Sequence, residues 1–519
     1  MHDLLHEPLL GVVSPDGASV LCLPEVLAGL SAGQIDGFTG LRAHQADPWH
    51  EFLVQVAASA LARRGESARV REAEFWRDAL LELADGQSSA WQLVVDDLSG
   101  PAFLQHPLAS ASELKSQFKP KAMAPDELDV LVTAKDHDLK IARAAANAAQ
   151  AWLYSLLTYQ TTSSYLGSGN YGTLRMNGGS ASRAVVSMVA DLHPSMRFVE
   201  EVRRLGDMRD AVAARHGYRH RGVALTWLTP WNRTRHQFTP GELEPWFVEA
   251  VRPVRLVAMG SDIMALGATS KERQIGPKSL DGGDVGDPWI PVNVEDKKKG
   301  RSALTVSAGG WSPRLITRLL FQQGFELTAL QQPRVGERAL WFTGSVVVGG
   351  QGTTEGFHRF AVPVPAKVRG RLLVRETADA LGKFAQELLG DAHAVERAFD
   401  RALMALVEGG PVSIDFKNRT VEAWAKAVRA RLFQGWEEVY FPTLWRAVEA
   451  ADAASIRGDW QAQLVDRARS ALRSAERSVA LPTARRYRAL VRADGVLNAA
   501  LKAAGLIAAT SQHTEDNAA

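Results

Sequence analysis

Hydrophobic positions in the last third of the chain recur at intervals of three and four residues, the spacing that places side chains on one face of an α-helix. Val374, Ala378, Leu381, Phe384 and Leu388 form one such stripe. Val421, Trp424, Val428, Leu432, Trp436 and Val439 form a second, and Leu464, Ala468, Leu472, Ala475 and Val479 a third. After Pro482 a further helix is expected from Ala484 to Leu506, and breaks are expected at Gly390 and at Gly409-Gly410-Pro411. Each stripe has to be buried, and consecutive amphipathic helices joined by short breaks achieve that by packing antiparallel. The pattern predicts a C-terminal helical bundle over 366–519, with a polar, disordered tail from Thr510 to Ala519.

The preceding region, 1–365, is mixed in character. Helical spacing at Pro48–Arg63 and Ala73–Ala84 alternates with segments rich in Gly and Pro, and with short β-like runs such as Ala339–Val348. No repeat of fixed period runs through the chain, which argues against a solenoid or propeller. The expected fold class is α+β, a large mixed α/β N-terminal domain followed by the helical bundle.

Composition narrows the function classes. The 519 residues, 46% hydrophobic and 23% charged, are those of a globular chain able to bury a substantial core. Cys22 is the only cysteine, which excludes an internal disulfide framework and zinc ribbons. The first residues show no basic stretch leading into an apolar run, and no apolar stretch reaches the roughly 18 residues of a membrane span, so a cytoplasmic protein with no membrane partner is expected. Lys and Arg number 60 against 58 Asp and Glu, a net charge of +2 that does not draw the whole protein to a polyanion. The charge is uneven, however. Between Arg467 and Lys502 nine basic residues face only Glu476 and Asp494. Arg469, Arg473 and Arg477 line up on one helix, and Arg485, Arg488 and Arg492 on the next. Such a face is read either as solvated surface or as a phosphate-contacting one, since arginine forks match phosphate oxygens and counterion release drives the contact.

Several catalytic patterns occur, and each depends on its context. Gly167-Ser168-Gly169-Asn170-Tyr171-Gly172 satisfies G-x-G-x-x-G, but a dinucleotide site needs a strand before it and a helix after it. Here a helix is expected before it, Leu139 to Thr161 with Asp138 as N-cap, and a loop through Asn177-Gly178-Gly179 after it. The glycines remain a candidate contact loop or a structural turn. His137-Asp138 is the dyad of HD metallohydrolases, which also need further histidines; His216 and His220 are four apart, but Gly217 lies between them. A metal-dependent HD-type phosphohydrolase centred on His137 and Asp138 is the alternative reading; otherwise Asp138 caps a helix. Ser112 and Lys115 make Ser-x-x-Lys without its partner motifs, and neither a G-x-S-x-G elbow nor a P-loop is present. No catalytic centre emerges, and no cofactor is expected. Finally, Val346-Val347-Val348 runs into Gly349-Gly350-Gln351-Gly352, which reads as a hairpin with Gln351 at or near its tip. A glutamine amide both donates and accepts, so a slim tip of this kind can enter between bases and satisfy their edges; an exposed turn without a ligand is the other reading.

Taken in order, these segments resemble the CasA family, the large subunit of the type I-E CRISPR surveillance complex Cascade. The resemblance begins at Asp3-Leu4-Leu5 and Glu7-Pro8, with Leu9 where the family has tryptophan, and continues through Pro101-Ala102-Phe103-Leu104-Gln105. Its most specific stretch runs from Leu157-Thr158-Tyr159-Gln160-Thr161-Thr162 through the glycine motif to Arg175-Met176-Asn177-Gly178-Gly179. Gly286-Asp287-Pro288-Trp289-Ile290-Pro291-Val292, Ala303-Leu304-Thr305-Val306-Ser307 and Trp311 extend it.

The resemblance implies that the C-terminal part is a four-helix bundle and that the chain is a non-catalytic subunit. Such a subunit reads the protospacer-adjacent motif (PAM) in double-stranded DNA from the minor-groove side, promotes strand opening and docks a helicase-nuclease. Its implied partners are the other Cascade subunits, CRISPR RNA, target DNA and that nuclease. The family's glycine loop falls on Gly167, Ser168, Gly169 and Asn170, and its glutamine wedge on Gln351, with Gly350 where some members have asparagine. Its lysine finger falls on Lys271, with Arg273 and Lys278 as alternatives. The loop that senses RNA and the motif covers Ala134 to Lys140, with Lys135 and His137. The basic bundle face then holds backbone phosphates.

Overall fold

The computed structural model describes residues 2–131, 148–178, 183–298, 300–336, 338–350, 353–410, 422–450, 452–479 and 481–508. The chain divides into two compact units. Met1–Trp311 with Arg318–Val364 make the first, and Ser312–Thr317 with Pro365–Ala519 the second. The fold class is the expected one, mixed α and β followed by helices.

The first unit is organised around the helix Ala46–Arg64, which is buried at every position from Pro48 to Leu61. A helix with almost no solvent face must be covered on all sides. The helices Ala73–Leu83, Ala149–Thr161 and Pro194–His216 and the strand Leu243–Val248 all pack on it. Gly65, in the left-handed region at φ 65°, ends it by turning its own N–H and that of Glu66 back onto Ala62 and Leu61. Trp49, Trp76, Trp91, Trp152, Trp227, Trp246 and Trp289 are all fully buried in or around this core. The strands are short and form sheets of two or three among the described residues, antiparallel except for Val223–Leu225 beside Leu243–Val248. Among the described residues no single large sheet organises the unit.

Charged groups are buried here as well. Arg183, 2% exposed, lies between Glu51 of the central helix and Asp287, donating from Nε to Asp287 at 2.9 Å and ion-pairing with Glu51. Asp287 also accepts from the backbone N–H of Trp289 at 2.9 Å, and the Trp289 indole donates to Glu201 at 3.0 Å. Glu201 in turn holds His50 at 2.9 Å and Arg197 at 3.0 Å, and Arg197 reaches Asp47 at 2.7 Å. Burial pushes the Glu201 carboxyl up, but the Arg197 and His50 charges outweigh it and hold it well below the usual range. The Gly286–Val292 segment picked out by sequence is thus the strap that ties the central helix to Pro194–His216.

The β-like run becomes the strand Leu340–Gly350, and it forms a hairpin with Thr353–Val364, pairing in register from Leu340 with Val364 to Gly350 with Thr353. On its other edge Val185–Val189 covers only Trp341 to Ser345. A register shift between Val348 and Gly349 marks a bulge just before the turn. Trp311 packs on the outgoing strand, its ring 5.0 Å from Phe360 and its indole donating to the His358 carbonyl.

In the second unit four long helices, Arg375–Val407, Glu422–Glu449, Ala453–Ser478 and Thr483–Ala503, pack on one another. The third predicted stripe is buried throughout, and the second is buried at Val428, Leu432 and Trp436 and continues through Tyr440 and Leu444. The first stripe is corrected. Its buried line runs through Leu381, Ala385, Leu388, Ala392, Val395 and Phe399, while Val374 lies exposed before the helix. Gly390 does not break this helix. It sits exposed within it, and the roughly 1 kcal/mol that glycine costs there is outweighed by apolar turns buried on both sides. Gly409 and Gly410, both with positive φ, do end it. The tail Thr510–Ala519 and Pro411 lie outside the described residues.

A cavity of about 310 Å³ in this unit is lined by Leu389, Trp436, Glu396 and Glu437, among others. Burial pushes the Glu396 carboxyl up to about 7; the Trp436 indole, donating at 3.1 Å, opposes this, and Asp400 and Glu437 add to it.

Two outcomes follow from these buried charges. Arg183→Ala leaves Glu51 buried without its cation and Asp287 with only the more distant Arg175, 3.7 Å away, and lowers unfolding free energy by about 3–5 kcal/mol, read by urea denaturation; an unchanged midpoint contradicts the network's role. Glu396 binds a proton more tightly folded than unfolded, so its contribution is full at acid pH and is lost as pH rises toward about 7. Glu396→Gln therefore melts above the parent at about pH 8 and with it at about pH 4; a shift equal at both pH values contradicts this.

Candidate nucleic-acid interface

The glycine motif follows the helix Ala149–Thr161; Ala148 before it is extended at ψ 140°, so the expected helix is not continuous through Ala148, and Leu139 lies outside the described residues. Gln160, at its end, is fully buried. It donates to the carbonyls of Leu104 and Arg252 at 2.8 and 2.9 Å and accepts from the Arg252 N–H at 2.6 Å. Arg252 returns the contact by donating to the Ser164 carbonyl at 2.5 Å. The chain therefore leaves the helix clamped at both Gln160 and Ser164.

Between Leu166 and Asn170 it makes a closed turn. The Leu166 N–H donates to the Asn170 carbonyl and the Asn170 N–H to the Gly167 carbonyl, both at 3.0 Å. Gly167 and Gly169 have φ of 105° and 84°, conformations that L side chains rarely adopt, and Ser168 between them is exposed. Gly169 is required for a second reason. A Cβ there would stand 2.8 Å from the Thr269 Cβ.

That close approach joins the glycine turn to the Lys271 segment. The Ser270 N–H donates to the Gly169 carbonyl at 3.1 Å, and the Tyr171 hydroxyl donates to the Lys271 carbonyl at 3.0 Å. The Lys271 N–H donates to the Arg233 carbonyl at 2.7 Å, while the Arg233 guanidinium is itself held by Glu113 and Gln117. The Lys271 backbone is thus pinned on both sides while its side chain is exposed. The alternatives differ. Arg273 is bound to Asp281 at 2.9 Å, and the Asp281 carbonyl accepts from Gly178 at 2.7 Å, so Arg273 braces the loop after the motif. Lys278 is exposed at the start of the 3₁₀ turn Lys278–Gly282. Sequence reasoning missed Tyr171, Thr269 and Arg233; Tyr171, inside the glycine motif, was the one signal available for them.

Beneath the turn, Leu174 is fixed by two contacts from its N–H to the Glu249 carboxylate at 2.9 and 3.0 Å. Arg175 stacks 4.0 Å from the Phe247 ring centre. Burial pushes the Glu249 carboxyl up, with the Leu174 N–H and Arg175 opposing.

Gln351, Lys135, His137 and Asp138 lie outside the described residues. Described residues a few positions away from Gln351 and from Lys135 both meet His44. Phe357 of the hairpin stands edge-on to His44, ring centres 6.2 Å apart. His44 and Gln45 hold the fully buried Asp129 at 2.8 and 2.6 Å, and Asp129 accepts the Leu131 N–H at 2.9 Å, just before residues 132–147.

His216 and His220 do not share a helix face: the helix ends at His216, and Gly217 turns the chain into the left-handed region at φ 74°. His220 faces Arg209. Among the described residues no group of three or more His, Cys, Asp or Glu is placed to hold a metal ion, and no helix is long and apolar enough to cross a membrane.

The six bundle arginines divide. Arg469 donates to Asn498 at 3.1 Å, and Arg488 donates from two nitrogens to the Gly409 carbonyl at 3.3 Å, closing the end of Arg375–Val407. Arg473, Arg477, Arg485 and Arg492 are exposed, as is Arg488 itself, while Arg469 is half-buried.

Neither a protein-family model nor a curated protein matches the chain. Solved structures do. CasA of Thermus thermophilus superposes with a TM-score of 0.63 at 17% identity, covering 96% of this chain and 99% of that one. Cse1 of Acidimicrobium ferrooxidans gives 0.62 at 16% identity, covering 97% and 98%. A chain of a CRISPR RNA-guided surveillance complex gives 0.57 at 15% identity, covering 96% and 99%. The chain has the fold of the CasA and Cse1 proteins over nearly its whole length.

Proposed function

We propose that this chain is the non-catalytic large subunit of a type I-E CRISPR RNA-guided surveillance complex, and that it recognises the PAM in double-stranded DNA, promotes strand opening and docks the helicase-nuclease. The observation that carries the reading is the CasA fold over nearly the full length, with a glycine turn held against a segment that presents one exposed lysine. Its partners are then the other subunits, CRISPR RNA and target DNA, sequence beyond the PAM being read by RNA pairing.

The chemistry suits that task. The minor groove is about 6 Å wide and distinguishes mainly A·T from G·C pairs, so a turn without side chains plus one lysine suits a permissive readout. Gly167, Ser168, Gly169 and Asn170 supply the turn and Lys271 the cation. Gln351, between the paired ends Gly350 and Thr353, is the wedge. Inserting it costs a few kcal/mol of unstacking, offset by protein contacts and by the growing RNA–DNA duplex. Lys135 and His137 supply the loop that senses the RNA end and the PAM. Arg473, Arg477, Arg485 and Arg492 contact backbone phosphates, while Arg469 and Arg488 position the helices that carry them.

In the assembled complex, Gln351→Ala abolishes strand opening on a target duplex, scored by permanganate reactivity, and leaves RNA assembly intact. Lys271→Ala weakens binding of PAM-bearing duplex at least tenfold, whereas Lys278→Ala does not. Normal opening by Gln351→Ala, or equal losses in the two lysine variants, contradicts these assignments.

A further inference from the structure

Tyr487 is 80% exposed, and no described residue of the second unit covers it. Its helix, Thr483–Ala503, buries Ala489, Ala493, Leu497 and Leu501. Tyr487 and Val491, the latter 52% exposed, lie one turn apart on the side away from that line. At about 100° per residue, Asn498 falls in the same sector, and Arg485, Arg488 and Arg492 in the next.

Two contacts fix the register with the antiparallel helix Ala453–Ser478. Arg469 donates to Asn498 at 3.1 Å, and Arg486 lies 3.9 Å from Glu476. They bring Arg473 and Arg477 level with Val491 and Tyr487. The ring therefore forms a ridge between two sets of arginines, Arg473 and Arg477 on one side and Arg485 and Arg492 on the other. Glu476 and Asp494, the carboxylates between Arg467 and Lys502, are both half-buried, and Glu476 is taken up by Arg486.

An aromatic ring standing in water within a predominantly basic surface, with the half-buried Asp494 as the carboxylate in its own sector, is suited to one kind of ligand. Arginine rows alone hold phosphates and do not distinguish a duplex from a single strand. The ring does, because a duplex has its base faces stacked on one another whereas an unpaired strand offers them. An acidic protein would satisfy the arginines but leave the ring unused. We propose that Tyr487 is a stacking platform for a base of an unpaired DNA strand, whose phosphates run along the flanking arginines. The choice of DNA over RNA rests on the strand-opening role proposed above; the site itself does not.

The test uses the full-length chain and fluorescein-labelled (dT)15, followed by fluorescence anisotropy over a salt series. Tyr487→Ala weakens binding about 5- to 100-fold at an unchanged salt slope, and Tyr487→Phe, which keeps the ring, stays within about twofold of the parent. The double change Arg473→Ala with Arg477→Ala instead flattens the salt slope by about one to two units. The ring is on the surface, so Tyr487→Ala melts with the parent. The proposal is overturned if the parent does not bind (dT)15, if Tyr487→Ala binds it as the parent does, if a 15-base-pair duplex loses as much, or if Tyr487→Phe fails like Tyr487→Ala. A preference for (rU)15 overturns the assignment to DNA. Lys271→Ala on PAM duplex tests the functional reading and Tyr487→Ala on (dT)15 tests this one, so either fails without the other.

Discussion

The first unit depends on a cation buried between two carboxylates. Arg183 is almost sealed from water, and Glu51 and Asp287 on either side belong to the central helix and to the strap before Trp289. Each group alone would be costly to bury; together their charges offset one another, and the geometry is constrained because a guanidinium fork bonds only in its own plane. The same strap reaches Glu201 through the Trp289 indole, and Glu201 gathers His50 and Arg197. With sheets of only two or three strands among the described residues, this network does the aligning that a large sheet does in other α/β folds.

The candidate interface is built outward from that frame. Arg175, 3.7 Å from Asp287, carries the connection to Phe247 and to the residues after the glycine turn. The turn itself is defined by closeness. Because Gly169 lacks a Cβ, its carbonyl reaches the Ser270 N–H, and the lysine beside Ser270 projects from a backbone held by Tyr171 and Arg233. A slim backbone and a single cation on a rigid base fit a groove too narrow for bulky side chains.

Much of this was legible in the sequence because periodicity reports burial directly. The stripe from Leu464 to Val479 and the hairpin strand from Ala339 follow from spacing alone. What misled was local propensity. Gly390 reads as a break, yet packing on both sides carries the helix through it. The helix expected from Leu139 through Thr161 is interrupted at Ala148, which is extended; Asp138 and Leu139 themselves lie outside the described residues. In the site, Gly167 and Gly169 were identifiable because positive φ selects glycine, but nothing in one sequence announces that Thr269 and Ser270 come to meet them about a hundred residues later. Such pairings depend on topology. The resemblance to CasA suggested Lys271, with Arg273 and Lys278 as alternatives; that the Lys271 segment meets the glycine turn and that Arg273 is bound to Asp281 are visible only in the structure.

A subunit of an RNA-guided complex must be found with its RNA and its neighbours. The decisive measurement is to co-express this chain with the products of the neighbouring genes, purify it through a tag on this chain alone, and determine the native mass and nucleic-acid content of what is recovered. The expected result is one copy of this chain in a large assembly with stoichiometric RNA of a single defined length. Recovery of the chain alone, free of RNA under conditions where the other products assemble, would contradict that role.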